Sequence, residues 1–247
     1  MERTTGIALW RQIAQAIESE ISSGVFAPGS RLPTEAQLAE RFSVNRHTLR
    51  RAMSSLQDRG LIRVEQGRGT FVQDDVIDYL VGRRTRFSDN VRRLGRVPGG
   101  RMVRGEHMPA DGRVAQGLGL RPGQLVILVE LIHAVDNRPL TITAHFFPAS
   151  RFEGIVDAYR EANSITLALR KFGIDDYFRK QTRVSARLPT VNDARHLNMP
   201  RTQPIVVAES INVDTDGRPI EFAIARCAGQ RMQFVFEPGE KASAAPL

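Results

Sequence analysis

The stretch from Leu32 to Val72, LPTEAQLAERFSVNRHTLRRAMSSLQDRGLIRVEQGRGTFV, limits what this chain can fold into more than any other. Thr34 followed by Gln37 has the spacing of a capping box. Leu38, Ala39 and Phe42 then give a short helix one apolar side. Ser43-Val44 make a turn, and Asn45 is a good N-cap for a second helix. In that helix Leu49, Ala52, Met53 and Leu56 share one face, while Arg46, His47, Arg50 and Ser54 point the other way. Gly60 ends it in the C′ role. Leu61–Val64 and Thr70–Gln73 read as short strands joined by Glu65-Gln66-Gly67-Arg68-Gly69, with Asp74 and Asp75 closing the hairpin.

Helix, turn, helix and hairpin in that order form a helix-turn-helix with a wing, whose second helix enters the major groove amino end first. The arginine fork matches the O6 and N7 acceptors of guanine. Arg46 and Arg50 lie one turn apart on the exposed face with His47 beside them, in the place such a reader requires. Arginines on a lone helix would be read as a solvated face; here the cap, the inward face, the glycine stop and the wing agree on DNA.

The stretch closely resembles the DNA-binding domain of the GntR family of bacterial transcription regulators. The matching residues are Leu32-Pro33-Thr34-Glu35, Leu38-Ala39, Val44-Asn45-Arg46, Thr48-Leu49-Arg50-Arg51-Ala52, Leu56, Gly60-Leu61-Ile62 and Gly67-Arg68-Gly69-Thr70. The resemblance implies that Arg46 and Arg50 contact bases or phosphates and that Gln66-Gly67 approaches the minor groove. It places Thr34, Glu35, Asn45, His47, Thr48, Arg51 and Arg68 in the same interface. Some members carry arginine directly after the glutamate that aligns with Glu35; here the residue is Ala36, so one contact of that subgroup is missing.

A chain of 247 residues is long enough for one large or two modest domains. Its formal charge of +8 suits an anionic partner, and nearly all of the positive charge is arginine. The single Cys227 excludes an internal disulfide and suits a reducing cytoplasm. Glu2 and Arg3 ahead of a mixed helix do not read as a signal peptide. The longest apolar run, Leu125–Ile132, contains Glu130 and falls far short of the roughly 20 residues of a membrane helix. No Cys/His metal spacing, P-loop or Gly-x-Ser-x-Gly elbow is present, so no cofactor is expected.

In chain order, residues 8–23 form a helix with Trp10, Ile13, Ala14, Ile17 and Ile21 on one face, closing the core of a DNA-binding domain at 1–75. A linker is expected at 76–100. From Arg83 to Arg104 it and its continuation hold Arg83, Arg84, Arg86, Arg92, Arg93, Arg96, Arg101 and Arg104 against one acid, Asp89. This is either a basic arm following the phosphate backbone or a solvated surface. The second domain, 101–247, is expected to be α+β. Helices are placed at Gly112–Leu118, Phe152–Tyr159, Ser164–Phe172 and Asn192–Leu197. Strands are placed at 102–108, 125–135, 139–147, 178–188, 204–213, 218–226 and 232–236. Hairpin turns at Asp136-Asn137 and Asp214–Gly217 make the sheet antiparallel.

An internal repeat runs through this half. Ala115, Leu118, Leu120, Gln124 and Glu130 recur as Ala194, Leu197, Met199, Gln203 and Glu209; Asp136-Asn137-Arg138-Pro139-Leu140 is answered by Asp216-Gly217-Arg218-Pro219-Ile220. Two such units can build one curved sheet with a cleft. With the hairpin motif, His145-Phe146-Phe147-Pro148-Ala149 ahead of Arg151-Phe152, and the closing strand Met232–Phe236, the half resembles the UTRA effector-binding domain of the HutC branch of GntR regulators. That resemblance implies the fold of chorismate lyase. Phe42–Arg51, Arg86–Asn90 and Thr182–Arg187 carry a further likeness to the phosphonate-metabolism regulators of that branch.

A small anion needs hydroxyls, N–H donors and a cation at short range. Ser164, at the start of a helix, is one candidate, and Ser88 resembles a pocket residue of the branch. The strand before Asp136 carries two arginines in sugar-phosphate-binding relatives; the positions here are Leu131 and His133. His133 titrates near neutrality when unperturbed, and Arg183 is a candidate to replace the lost charge. His145 and Glu221 complete the expected set, each with a structural alternative: a core histidine with one hydrogen bond, and a carboxylate paired with Arg183 across the sheet.

The expectation is a cytoplasmic, effector-responsive repressor that binds double-stranded operator DNA as a homodimer. Its effector would be a phosphonate, phosphate ester or related small anion, with no membrane partner. Regulation of sugar-phosphate or histidine catabolism is one alternative. A chorismate-lyase-like enzyme with a DNA tether and a general DNA-packaging protein are others.

Overall fold

The computed structural model describes residues 8–73 and 76–237, so the Asp74-Asp75 ending expected for the wing lies outside them. The chain divides into two compact units, Met1–Asp75 and Val76–Leu247.

The first unit is built from α1 (Leu9–Ser22), α2 (Glu35–Phe42), α3 (Arg46–Asp58), β1 (Ile62–Glu65) and β2 (Gly69–Val72). The expected caps form: Thr34 and Gln37 make the capping box of α2, and Asn45 accepts from the Thr48 N–H at 2.8 Å. Ser43 adopts φ 52° to make the tight turn. At the end of α3, Gly60 takes φ 69°, and the Gly60 and Leu61 N–H groups close back onto Gln57 and Leu56 in a Schellman arrangement. Ile13, Ile17, Leu38, Leu49, Leu56 and Ile62 pack a single core between the helices and the wing.

The second unit is α+β around a six-stranded antiparallel sheet of order β4-β5-β6-β9-β8-β7. These strands are β4 (Pro98–Pro109), β5 (Leu125–Val135), β6 (Arg138–Pro148), β7 (Phe178–Arg187), β8 (Ile205–Val213) and β9 (Pro219–Ala228). The repeat is visible in three dimensions. Helices α5 (Gly112–Leu118) and α9 (Val191–Leu197) carry matching N-caps, Asp111 and Thr190, and matching left-handed C-caps, Gly119 and Asn198. The two hairpins meet at β6 and β9, where Ala144 faces its repeat equivalent Ile224; the pseudo-twofold axis passes between them. Both α5 and α9 pack on one face of the sheet. Gly117 of α5 lies so close to β9 that a Cβ there would stand 2.5 Å from the Phe222 ring.

The other face is covered by α6 (Ala149–Phe152), α7 (Ile155–Ala162) and α8 (Ile165–Arg170), which bury Phe147, Phe152, Ile155 and Leu169. A single helix over Phe152–Tyr159 was expected; it is broken at Gly154, whose φ of 86° separates α6 from α7.

Two further expectations are corrected. Residues 76–100 are not a free linker: they carry β3 (Ile77–Leu80), α4 (Phe87–Arg93) and the start of β4. Ile77, Tyr79 and Val91 supply the apolar side that buries this segment against Val135, Leu140, Cys227 and Met232. The closing strand β10 (Met232–Val235) does not join the antiparallel sheet but pairs in parallel with β3, Met232 opposite Ile77 and Val235 opposite Leu80.

Candidate functional site

In the first unit, Arg46, His47 and Arg50 are exposed on α3. Glu35 of α2 accepts from Arg50 Nε at 3.0 Å, which orients the guanidinium on the surface of the two-helix motif. Thr34, Asn45 and Thr48 are occupied in capping, which sets how the amino ends of α2 and α3 are presented. Arg51 lies 4.7 Å over the Trp10 ring of α1. At the wing tip Gln66 is exposed and Gly67 takes φ 74°. Arg68 is folded back, donating to the buried Glu65 at 2.7 Å; Arg63 holds the same carboxylate at 3.2 Å.

In the second unit a cavity of about 590 Å³ lies on the sheet face away from α5 and α9. Because the side-chain period of a strand is two, the register fixes its floor. Across β6, β9 and β8 the rows read Thr143–Ala225–Ala208, then His145–Ala223–Ser210, then Glu221 beside Asn212. Three alanines are thus ringed by Thr143, His145, Glu221, Asn212 and Ser210. The walls come from α4, from α7 to α8, and from the Tyr177–Arg179 segment entering β7.

A polar network crosses the floor. Glu221 is 2% exposed and accepts from His145 Nδ1 and from the Asn212 amide. Asn212 Oδ1 in turn accepts from Arg179 Nε at 2.8 Å. Burial alone would raise the Glu221 pKa, but His145, Asn212 and Arg179 outweigh it and hold the carboxyl below its ordinary value. Burial, and then the neighbouring His145, push His133 down to about 3. It is a neutral ring at ordinary pH, stacked 4.5 Å from Phe87. Burial also pushes the Cys227 thiol up to about 12, so it sits in the wall as an unreactive small apolar group.

Of the expected effector residues, Ser88, His133, His145, Ser164 and Glu221 line this cavity together. Arg183 does not. The bulge between Arg179 and Gln181 sets it opposite Glu209, on the exposed other side of β7, and Glu221 pairs with His145 rather than with it. The cation on this wall is Arg179. Ser164 is a cap: its hydroxyl accepts from the Leu167 N–H at 3.4 Å, at the head of a helix of only 6 residues. Sequence reasoning missed Thr141, Thr143, Ser210, Asn212, Tyr177, Arg170 and Arg179. The signal for the strand residues was there: Thr141-x-Thr143-x-His145 and Ser210-x-Asn212 place polar groups at period two inside apolar strands.

The cavity lining carries Arg86, Arg92, Arg170 and Arg179 against Asp89 and Glu221. Arg86 is further held by Asp176 at 3.1 Å and by the Tyr177 ring. The adjacent Arg83 and Arg84 stack on Phe178, and Arg84 pairs with Asp176 at 2.6 Å. Part of the arginine-rich segment is therefore fastened beside the cavity.

A winged helix-turn-helix with exposed arginines, in one chain with a sheet-backed cavity of positive lining, defines a DNA-binding transcription regulator with a small-molecule-binding domain. The chain belongs to the GntR family of bacterial regulatory proteins: residues 9–72 match the gntR family model and residues 93–233 the UTRA domain. It is 37% identical over 238 residues to an uncharacterized HTH-type transcriptional regulator, RB1450, of Rhizobium meliloti, covering 96% of this chain and 98% of the relative. It is 31% identical to the probable transcriptional regulator PhnF of Escherichia coli K12, covering 92% and 94% of the two chains. The crystal structure of PhnF from Mycobacterium smegmatis superposes with a TM-score of 0.62 at 24% identity, over 95% of this chain and all of that one; this is a likeness of fold. These relatives are regulators, and the lyase-like alternative finds no support among them. No described helix is long and apolar enough to cross a membrane.

Proposed function

We propose that this protein is a cytoplasmic repressor that binds a palindromic operator as a homodimer and responds to a small anion bound in its UTRA domain. Arg46, His47 and Arg50 read the half-site, and Gln66-Gly67 reaches the minor groove. Ser88, His145, Ser164 and Glu221, with Arg86, Arg170 and Arg179, form the effector site. The observation that carries the reading is the cavity's excess of arginine over carboxylate, above a floor of hydroxyl and amide groups. Charge-assisted donors of this kind hold phosphonate, phosphate and carboxylate groups in water-poor surroundings. The 31% identity to PhnF supports a phosphorus-containing effector and a phosphonate uptake or catabolism operon as target. The sugar-phosphate alternative is less favoured: Leu131 is apolar and His133 is held neutral, so β5 offers no cation.

The test is a thermal-shift screen of the full-length protein against phosphonates, phosphate esters, sugar phosphates and histidine-pathway acids, followed by operator binding with each hit. A hit among the phosphorus anions that changes operator affinity is expected. Stabilisation by neutral or cationic metabolites alone would reject the anion reading.

A further inference from the structure

The cavity is much longer than a small anion. Every second residue of β9 from Glu221 to Cys227 lines it, which is about 20 Å of strand at roughly 3.3 Å per residue. Its volume of about 590 Å³ falls among sites of about 300–1,000 Å³ that enclose ligands of many atoms. A bare phosphate or methylphosphonate would leave most of it to water.

The two ends differ in chemistry. At the Glu221 end, Asn212 accepts from Arg179, and Arg86 packs 4.8 Å over the Tyr177 ring, so cations and polar groups gather there. At the Cys227 end the lining is made of rings. Tyr79 of β3, Phe87 of α4 and Phe234 of β10 belong to the apolar cluster that contains Cys227. Phe234 meets Tyr79 edge-on at 5.6 Å, and Phe87 lies 6.4 Å from Tyr79. His133 stacks 4.5 Å from Phe87 and extends the ring surface; burial pushes its pKa down to about 3, so it adds no charge. Phe87, Phe234 and His133 line the cavity while only partly buried, so they present surface to its contents.

Between the ends the floor is Ala223 and Ala225, with Ala208 of β8 opposite Ala225, which leaves clearance for a body to lie across. Rings of this kind can hold an apolar ring or a cation. The charges decide between them. Asp89, the carboxylate beside Phe87 in the chain, is paired with Arg92 at 3.5 Å, and the lining as a whole carries more arginine than carboxylate, which disfavours an ammonium group.

We propose that the effector carries an aromatic ring, that the ring lies against Phe87 and Phe234 while the anionic group is held at the Arg179 and Arg86 end, and that the regulator responds to ring-bearing phosphonates or phosphate esters in preference to short or sugar-like ones. The proposal rests on the reading of the cavity as an anion site and adds to it the chemical class of the effector's body. Edge-on or offset ring contacts add to the gain from the apolar area removed from water.

The experiment uses pairs of probes that differ by a ring: methylphosphonate against phenylphosphonate, and propylphosphonate against 3-phenylpropylphosphonate. Glycerol 3-phosphate supplies a hydrophilic body and 2-aminoethylphosphonate a cationic one. Affinity is measured calorimetrically on the full-length protein. The ring-bearing member of at least one pair should bind roughly tenfold more tightly or better. That preference should fall at least about threefold in Phe87→Leu or Phe234→Leu, which keep an apolar side chain and remove a ring. Equal binding within both pairs overturns the ring proposal and leaves the anion site standing. So does tighter binding of glycerol 3-phosphate or of 2-aminoethylphosphonate than of either ring probe. A preference unchanged in both variants places the ring elsewhere and also overturns the proposal. If no phosphorus probe binds at millimolar concentration, the anion reading itself falls and the proposal with it. The wild-type comparison decides even if a variant does not fold.

Discussion

Replacing Glu221 by Gln tests the polar floor at its centre. The side chain is 2% exposed, and its carboxylate accepts from two buried donors, His145 Nδ1 and the Asn212 amide. A glutamine offers one acceptor oxygen, and its NH2 group faces whichever donor is left. One buried donor then loses its partner, at about 1–3 kcal/mol. The charge that faces His145 and Arg179 is also removed, and breaking a buried pair from one side costs up to about 3–5 kcal/mol. A loss of about 2–4 kcal/mol follows for the unit Val76–Leu247, which lowers its melting temperature by about 5–12 °C. The pH dependence has a definite sign. The folded-state pKa of Glu221 is depressed, so its contribution is complete above the ordinary carboxylate value of about 4.3 and is lost as pH falls through the folded value. The gap between wild type and variant should therefore be full at pH 7 and narrow in acid below about pH 4. Differential scanning calorimetry across that range is the assay. A variant that melts with the wild type at pH 7 would show that the His145–Glu221–Asn212 network does not hold the floor, and the site geometry argued from it would fail.

Other perturbations act at separate places. Leu49→Ala empties a fully buried position in α3 and should cost about 2–5 kcal/mol in the first unit, abolishing operator binding in a gel-shift assay while ligand binding by calorimetry persists. Gly117→Ala drives a methyl into the Phe222 ring and should cost about 1–3 kcal/mol by chemical denaturation; an unchanged midpoint would mean that α5 can retreat from β9 freely. Arg46→Ala and Arg50→Ala should each weaken operator binding by about 1–3 kcal/mol at fixed salt, and wild-type affinity in both would remove α3 from the interface. Ser164→Asp keeps the N-cap of α8 and sets a carboxylate in the cavity lining, so melting should hold while anion binding weakens; unaltered anion affinity would place the effector elsewhere.

Much of the fold was legible because local chemistry and global packing agree. The caps at Thr34 and Asn45, the turn at Ser43 and the stop at Gly60 are short-range signals, and each forms as read. The repeat exposed the paired hairpins of the sheet because the second unit uses the same pattern twice. Failures came where the answer depended on distant segments. Nothing local in Ile77–Leu80 says that it will pair with Met232–Val235, more than 150 positions away, and in parallel. Gly154 breaks a helix whose apolar pattern runs on through it. In the cavity, single residues with familiar chemistry were found, Ser88, His133, His145, Ser164 and Glu221. Arg183 is expected in the pocket but lies outside it, while Arg179 lines it, because a bulge reverses the facing of β7 between them and leaves no mark in the residue types on either side.

The proposed regulation requires that occupancy of the cavity in one unit change the DNA affinity of the other. It is tested most directly by titrating full-length protein onto an operator selected from random-sequence DNA, by fluorescence anisotropy at fixed salt, with and without the tightest-binding anion from the screen. The same titration is run on Glu221→Gln. Coupling between two sites is typically about 1–3 kcal/mol, so the wild-type operator Kd should shift roughly 5–150-fold on adding the anion, and the shift should shrink in the variant. An operator affinity that stays the same while calorimetry shows the cavity filled would contradict the account.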